Sequence, residues 1–98
     1  MSKEELNKYI ALLKDDDPSA RYWAALYLEG APDKAAVPAL IDVFSSEDAE
    51  LKGAAAKALG SIGPDARDAV PILAEAAKSK DAWVSKCAEY ALGKIKGR

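Results

Sequence analysis

Apolar residues recur along this chain at the three- and four-residue spacing of amphipathic helices. Residues 2–14 carry the stripe Leu6, Tyr9, Ile10 and Leu13, and similar stripes return over residues 34–45 and 66–78. Three alanine-rich stretches, which follow these stripes in turn, keep the same helical spacing. The pattern predicts six helices and no strand.

The three alanine-rich stretches are imperfect copies of one sequence. They begin at Asp17, Asp48 and Asp81, which lie 31 and then 33 residues apart. An aspartate is a favourable residue before a helix, because its side chain accepts a hydrogen bond from a free backbone N–H group. A period of this length is typical of solenoids, whose units bury their apolar faces by stacking on each other.

These repeats predict the fold class and its boundaries. We expect an all-α protein, a right-handed α-solenoid of stacked antiparallel helix pairs joined by short connections. The first helix matches the second half of a later repeat, so the chain contains about two and a half to three repeats. We expect a single domain over residues 1–98, with repeat units at approximately 1–31, 32–63 and 64–98.

The clearest copy of the repeat contains Leu51, Ala55 and the run Ala58-Leu59-Gly60-Ser61-Ile62-Gly63, followed by Ala69-Val70-Pro71-Ile72-Leu73. This pattern resembles the short HEAT-like repeat of the phycocyanobilin-lyase type, and it is similar to the consensus of artificial α-helical repeat scaffolds. The resemblance covers essentially the whole chain and implies a stack of helix pairs. It does not imply one function, because such repeats hold partners of many kinds. The similarity to artificial scaffolds leaves a designed or engineered origin open.

Composition and charge argue against several classes of function. The 14 basic and 16 acidic side chains give a net charge of -2 with both signs interspersed, so we expect no nucleic-acid partner. The sequence has no histidine, which is the commonest general base and metal ligand, and Cys87 has no second cysteine to pair with. We therefore expect no enzymatic activity, no cofactor and no metal site.

The sequence also has no apolar run of the length that spans a bilayer and no signal-peptide pattern. We expect no membrane partner, and a cytoplasmic location if the protein is natural or a soluble recombinant protein if it is artificial. The single cysteine is compatible with a reducing compartment.

The three copies differ most on one face of the alanine-rich helices. The positions concerned lie at i, i+3, i+4 and i+7, so they form a continuous surface. They are Ser19, Tyr22, Trp23 and Leu26 in the first copy, Glu50, Gly53, Ala54 and Lys57 in the second, and Trp83, Lys86, Cys87 and Tyr90 in the third. Equivalent helices lie side by side in a solenoid. Small residues in the middle and aromatic residues on both sides therefore predict a shallow trough with aromatic walls.

This trough is the predicted partner-binding site. Its candidate residues are Tyr22, Trp23, Leu26, Gly53, Ala54, Lys57, Trp83, Lys86, Cys87 and Tyr90. In the artificial scaffolds that the chain resembles, the corresponding face is the one usually devoted to partners. Tyr22 and Leu26 point away from the core positions of their helix, so we expect an exposed patch there. In the alternative interpretation, Trp23 and Tyr27 only fill space against the first helix and Trp83 only covers the end of the stack.

Three functions remain open. We favour a protein-binding or assembly module, whose partner could be a second copy of the chain in a homo-oligomer. The second is a small-molecule-binding or lyase-like domain in which Cys87 faces a ligand between Trp83 and Trp23. The third is a scaffold designed only to fold, which would be a monomer at all concentrations.

Overall fold

The computed structural model describes residues 2–97. In chain order the α-helices are α1 (Lys3–Leu12), α2 (Pro18–Gly30), α3 (Val37–Asp42), α4 (Ala49–Ile62), α5 (Val70–Ala76) and α6 (Ala82–Ile95). Short 3-10 segments occupy Lys34–Ala36, Val43–Ser45 and Gly63–Ala69. The described residues contain no β-strand, and none of their helices is long and apolar enough to cross a lipid bilayer.

The predicted third helix, residues 34–45, is a composite segment and not one continuous α-helix. Its α-helical part, α3, covers only 6 residues and has a 3-10 segment on each side. Pro38 explains the late start, because it has no N–H group and its ring would clash with the carbonyl of Lys34 inside a continuous α-helix. The prediction of six regular α-helices is therefore wrong at this segment. The helix predicted over residues 66–78 is also shorter than expected, because a 3-10 segment occupies Gly63–Ala69 and the α-helix covers only Val70–Ala76. Five α-helices have at least 7 residues.

Each alanine-rich helix begins at its predicted aspartate. The carboxylate of Asp17 accepts a hydrogen bond from the N–H group of Ser19 at 2.9 Å. Asp48 and Asp81 accept equivalent bonds from the first turns of α4 and α6. These caps fix the residue at which each helix starts, and they therefore fix which side chains share a face.

Helices α2, α4 and α6 lie side by side, and α4, in the middle, packs against both of its neighbours. Helix α1 packs against α2, α3 against α4, and α5 against α6. The chain is thus a row of three helix pairs around one apolar core. The largest fully buried side chains of this core are Leu28, Leu40, Leu51, Leu59 and Leu73.

Small side chains allow the three alanine-rich helices to approach closely. Ala24, Ala55 and Ala88, which occupy the same repeat position, are all fully buried. At Gly60 the approach is closer still, because a Cβ atom there would lie 3.1 Å from the Cα atom of Ala91 in α6. The spacing of α4 and α6 therefore depends on the absence of a side chain at residue 60.

Gly60→Val should force α4 and α6 apart. We expect the free energy of unfolding to fall by about 1–3 kcal/mol, the usual cost of overpacking a core. Chemical denaturation followed by circular dichroism measures this change. Gly30→Ala is the matched control, because a Cβ atom at residue 30 meets nothing within 4 Å. It should leave stability unchanged or raise it by up to about 1 kcal/mol. Equal midpoints for the two variants would contradict the close contact.

Candidate partner-binding site

Trp83 covers the middle of the predicted trough. Its indole ring lies over Gly53, where a Cβ atom would overlap the ring, and its Nε1–H group donates a hydrogen bond to the carbonyl of Glu50 at 3.3 Å. Gly53 is therefore buried, and so is Ala54 beside it. The prediction of an open trough with Gly53 and Ala54 as its floor is wrong. The aromatic ring of Trp83 fills the space that is free because Gly53 has no side chain.

An open groove lies beside the Trp83 ring. We call it the Trp83 groove. Its lining residues are Glu29, Lys57, Ala82, Trp83, Lys86, Cys87 and Tyr90, and its volume is about 680 Å³. Two of them are large aromatic side chains that remain widely exposed, Trp83 at 42% and Tyr90 at 48%. A concave surface with exposed aromatic walls is typical of binding sites for proteins or small ligands.

Two residues of α4 contact the Trp83 ring. The ring lies over Gly53, and its centroid is 5.6 Å from the ammonium nitrogen of Lys57. Lys57 in turn lies 3.8 Å from the carboxylate of Glu29 in α2. Each of these partly exposed charge contacts contributes little to stability.

The groove has an excess of positive charge. Its lining contains the ammonium groups of Lys57 and Lys86 and a single carboxylate, that of Glu29. Lys94 adds a third ammonium group at the edge, 5.6 Å from the ring centroid of Tyr90. The groove can therefore attract an acidic group, although the chain as a whole carries a net charge of -2.

Cys87 lies in this groove but is itself buried. Burial raises the pKa of the Cys87 thiol, since it disfavours the charged thiolate, and the positive charge of Lys57 opposes this effect. The alternative in which Cys87 faces a ligand between Trp83 and Trp23 is wrong in one respect. The groove at Cys87 is lined by Trp83 and Tyr90, and Trp23 is not part of it.

The candidate residues of the first copy are not joined to the Trp83 groove. Tyr22 and Leu26 are half-buried and pack against the core, so the expectation that they form an exposed patch is wrong. Trp23 is 65% exposed and borders a smaller depression of about 180 Å³ that reaches Glu50. The predicted continuous face is thus divided into two parts by the ring of Trp83.

One lining residue was missed at the sequence level. Glu29 lines the groove, and it lies three residues beyond Leu26, so a continuation of the same helical spacing would have found it. Tyr9 stacks on Tyr27 with ring centroids 4.2 Å apart and an angle of 13° between the planes. This stack agrees with the alternative in which Tyr27 packs against the first helix, whereas Trp83 covers α4 and not the end of the row.

Gly53→Ala should displace the Trp83 ring. In a Trp23→Phe background Trp83 is the sole tryptophan, and we expect its fluorescence emission to move to longer wavelength as the ring becomes more exposed. Alanine has the higher helix propensity, which should raise the free energy of unfolding by up to about 1 kcal/mol. The loss of the contacts between the ring and α4 should offset this gain. Gly30→Ala in the same background is the control and should leave the emission unchanged. Unchanged emission in Gly53→Ala would contradict the placement of the ring over α4.

Cys87 should react slowly with iodoacetamide at neutral pH. The thiolate is the reactive form, and both the raised pKa and the burial of Cys87 reduce its availability. We expect the rate to be at least about tenfold lower than in the chain unfolded by guanidinium, and to rise as the pH passes the raised pKa. Faster reaction in the folded chain than in the unfolded chain would reveal an activated thiolate, contrary to this view.

Comparisons with known proteins concern the whole row of helix pairs. Residues 6–93 match the family of HEAT repeats. The fold is similar to the crystal structure of an engineered protein, a target of the Northeast Structural Genomics Consortium, with a TM-score of 0.79 and 24% sequence identity. The similarity covers 97% of this chain and 47% of that one, so this chain spans about half the length of the engineered protein. No curated protein matches the sequence. On the match over residues 6–93, this chain belongs to the HEAT repeat family.

Proposed function

We propose that this chain is a non-enzymatic protein-binding module, a right-handed α-solenoid of about two and a half to three repeats. The observation that carries the proposal is the Trp83 groove, in which two exposed aromatic side chains flank a concave surface of about 680 Å³. Tryptophan, tyrosine and arginine dominate binding energy at protein interfaces, and a cleft flanked by aromatic side chains is a usual place for an anchoring residue of a partner.

The partner would insert an apolar side chain between Trp83 and Tyr90. Trp83 is already held by Gly53 and by the carbonyl of Glu50, so little conformational entropy is lost when the groove is filled. A preformed surface of this kind improves affinity chiefly by reducing the cost of ordering.

The charges of the groove define the remaining chemistry of the partner. Lys86 is exposed at the edge, and Lys57 and Lys94 lie near the two aromatic rings. A partner segment with an acidic residue next to its apolar anchor would satisfy these groups. Complementary charges at a rim affect the rate of association and the orientation of the partner more than the final affinity. The proposal involves no nucleic acid, no membrane and no cofactor.

A small organic ligand is the second candidate occupant. The volume of the Trp83 groove lies within the range of about 300–1,000 Å³ that is usual for ligand pockets, and Cys87, Trp83 and Ala82 give it an apolar surface. A flat aromatic anion such as 1-anilinonaphthalene-8-sulfonate would test this candidate. Saturable binding that Tyr90→Ser weakens and Trp23→Ser does not, without any selected peptide, would favour it over a protein partner.

A random peptide library selected on the immobilised chain tests the protein-binding proposal. We expect enriched peptides with an aromatic or aliphatic residue close to aspartate or glutamate. Calorimetry on the best peptide should show a dissociation constant at least about tenfold higher for Tyr90→Ser, as expected for an interface anchor. Lys86→Glu should also weaken binding and reduce its dependence on salt.

Trp23→Ser is the matched control for this experiment. It removes an exposed aromatic side chain outside the Trp83 groove, so peptide affinity should remain at the wild-type value. Peptides that bind wild type and Tyr90→Ser equally well would overturn the assignment of the groove.

A further inference from the structure

A second concave surface lies between the N-terminal parts of α2 and α4. We call it the Trp23 depression. It has a volume of about 180 Å³, and its lining residues are Pro18, Ser19, Tyr22, Trp23, Asp48 and Glu50. None of these residues lines the Trp83 groove, so the two surfaces are separate.

The charge of the Trp23 depression is opposite to that of the Trp83 groove. Its two charged lining residues, Asp48 and Glu50, are both acidic, and no lysine or arginine among residues 2–97 lines it. Arg21, in α2, donates a hydrogen bond to the backbone carbonyl of Asp15 at 2.7 Å instead. Helix α4 begins here, and a helix N-terminus carries about half a positive charge, which two carboxylates outweigh. The depression therefore attracts a cation.

The Glu50 carboxylate is available to bind this cation. Glu50 is exposed, and within residues 2–97 its side chain takes part in no salt bridge and no hydrogen bond. The oxygen that accepts the Trp83 N–H bond belongs to its backbone carbonyl. Asp48 uses one carboxylate oxygen to cap α4, where it accepts the N–H of Leu51 at 3.2 Å, and it adds a second negative charge.

The indole ring of Trp23 determines which cation fits best. The ring is 65% exposed, so a planar group can stack on it. The guanidinium group of arginine is planar, stacks on aromatic rings and donates parallel hydrogen bonds to a carboxylate, whereas the ammonium group of lysine is a strongly hydrated point charge. A metal ion is disfavoured, because the described residues contain no group of three or more histidine, cysteine, aspartate or glutamate side chains that could hold one.

The size of the Trp23 depression favours one side chain over a whole small molecule. Ligand pockets usually have volumes of about 300–1,000 Å³, and this depression has only about 180 Å³. A side chain that belongs to a protein can make its other contacts outside the depression. The occupant is therefore a residue of a larger partner.

We propose that the Trp23 depression binds an arginine side chain of a partner protein. The guanidinium group stacks on the indole ring of Trp23 and donates hydrogen bonds to the carboxylate of Glu50. This site is separate from the Trp83 groove in position and in charge, so it goes beyond the function proposed above and is tested independently of it.

Nuclear magnetic resonance of the ¹⁵N-labelled chain tests this site, with the acetylated and amidated peptide Gly-Arg-Gly as the probe. Millimolar peptide should shift the indole N–H resonance of Trp23. The same peptide with citrulline, which has nearly the shape of arginine but no charge, should give a shift at least about threefold smaller. The lysine peptide should also give a smaller shift. Free arginine should do so too, because Asp48 and Glu50 repel its own carboxylate.

Glu50→Gln removes the charge but keeps the shape of the side chain and the backbone carbonyl. It should weaken binding of the arginine peptide about two- to fivefold, as expected for a partly exposed ion pair. Glu89→Gln is the matched control, because it removes an exposed carboxylate of α6 that lines neither site, and it should bind as wild type. Tyr90→Ser, which impairs the Trp83 groove, should also leave this binding unchanged.

Three results would each refute the arginine site. They are equal shifts with the arginine and citrulline peptides, a lysine peptide or free arginine that binds as tightly as the arginine peptide, and wild-type affinity in Glu50→Gln. None of them affects the peptide selection on the Trp83 groove, because that experiment depends on Tyr90 and Lys86. Failure of this proposal is thus distinguishable from failure of the protein-binding proposal.

Discussion

The close approach of three alanine-rich helices is the constraint on which the rest of this structure depends. Alanine and glycine bury little apolar area each, so the helices gain contact only if their backbones come near one another. The larger leucines fill the rest of the apolar core. A large aromatic ring packs on α4 where that helix lacks a side chain, as the ring of Trp83 does over Gly53.

The same constraint shapes the candidate binding surface. Gly53 leaves a bare strip on α4, and the indole ring of Trp83 covers it. The contact with α4 fixes the orientation of the Trp83 side chain, which would otherwise project into solvent. The ring can therefore form one wall of the groove. The positive charges of Lys57 and Lys86 favour one orientation of a bound acidic group on an otherwise apolar surface. Packing and recognition are thus served by the same ring.

The sequence predicted the fold more completely than it predicted the site. Asp17, Asp48 and Asp81 cap their helices as expected, since capping depends on residues within one turn, and the HEAT-like resemblance was confirmed. The prediction of the trough was wrong because the repeat pattern determines where the helix backbones lie but not which rotamer a long side chain adopts. Whether the ring of Trp83 points into solvent or packs on α4 depends on Gly53, which lies 30 positions earlier in the chain.

The absence of a side chain at Gly53 also bears on how the protein could be lengthened. Residues 48–80 contain a complete middle unit with small contact residues on both sides, so a duplicate could be inserted without disturbing either end of the row. In that duplicate, the position equivalent to Trp83 holds Glu50. Its side chain cannot cover Gly53 of the preceding unit as the indole ring of Trp83 does. Each inserted unit would therefore add one surface depression with an uncovered glycine at its base. The number of such depressions would equal the number of inserted units.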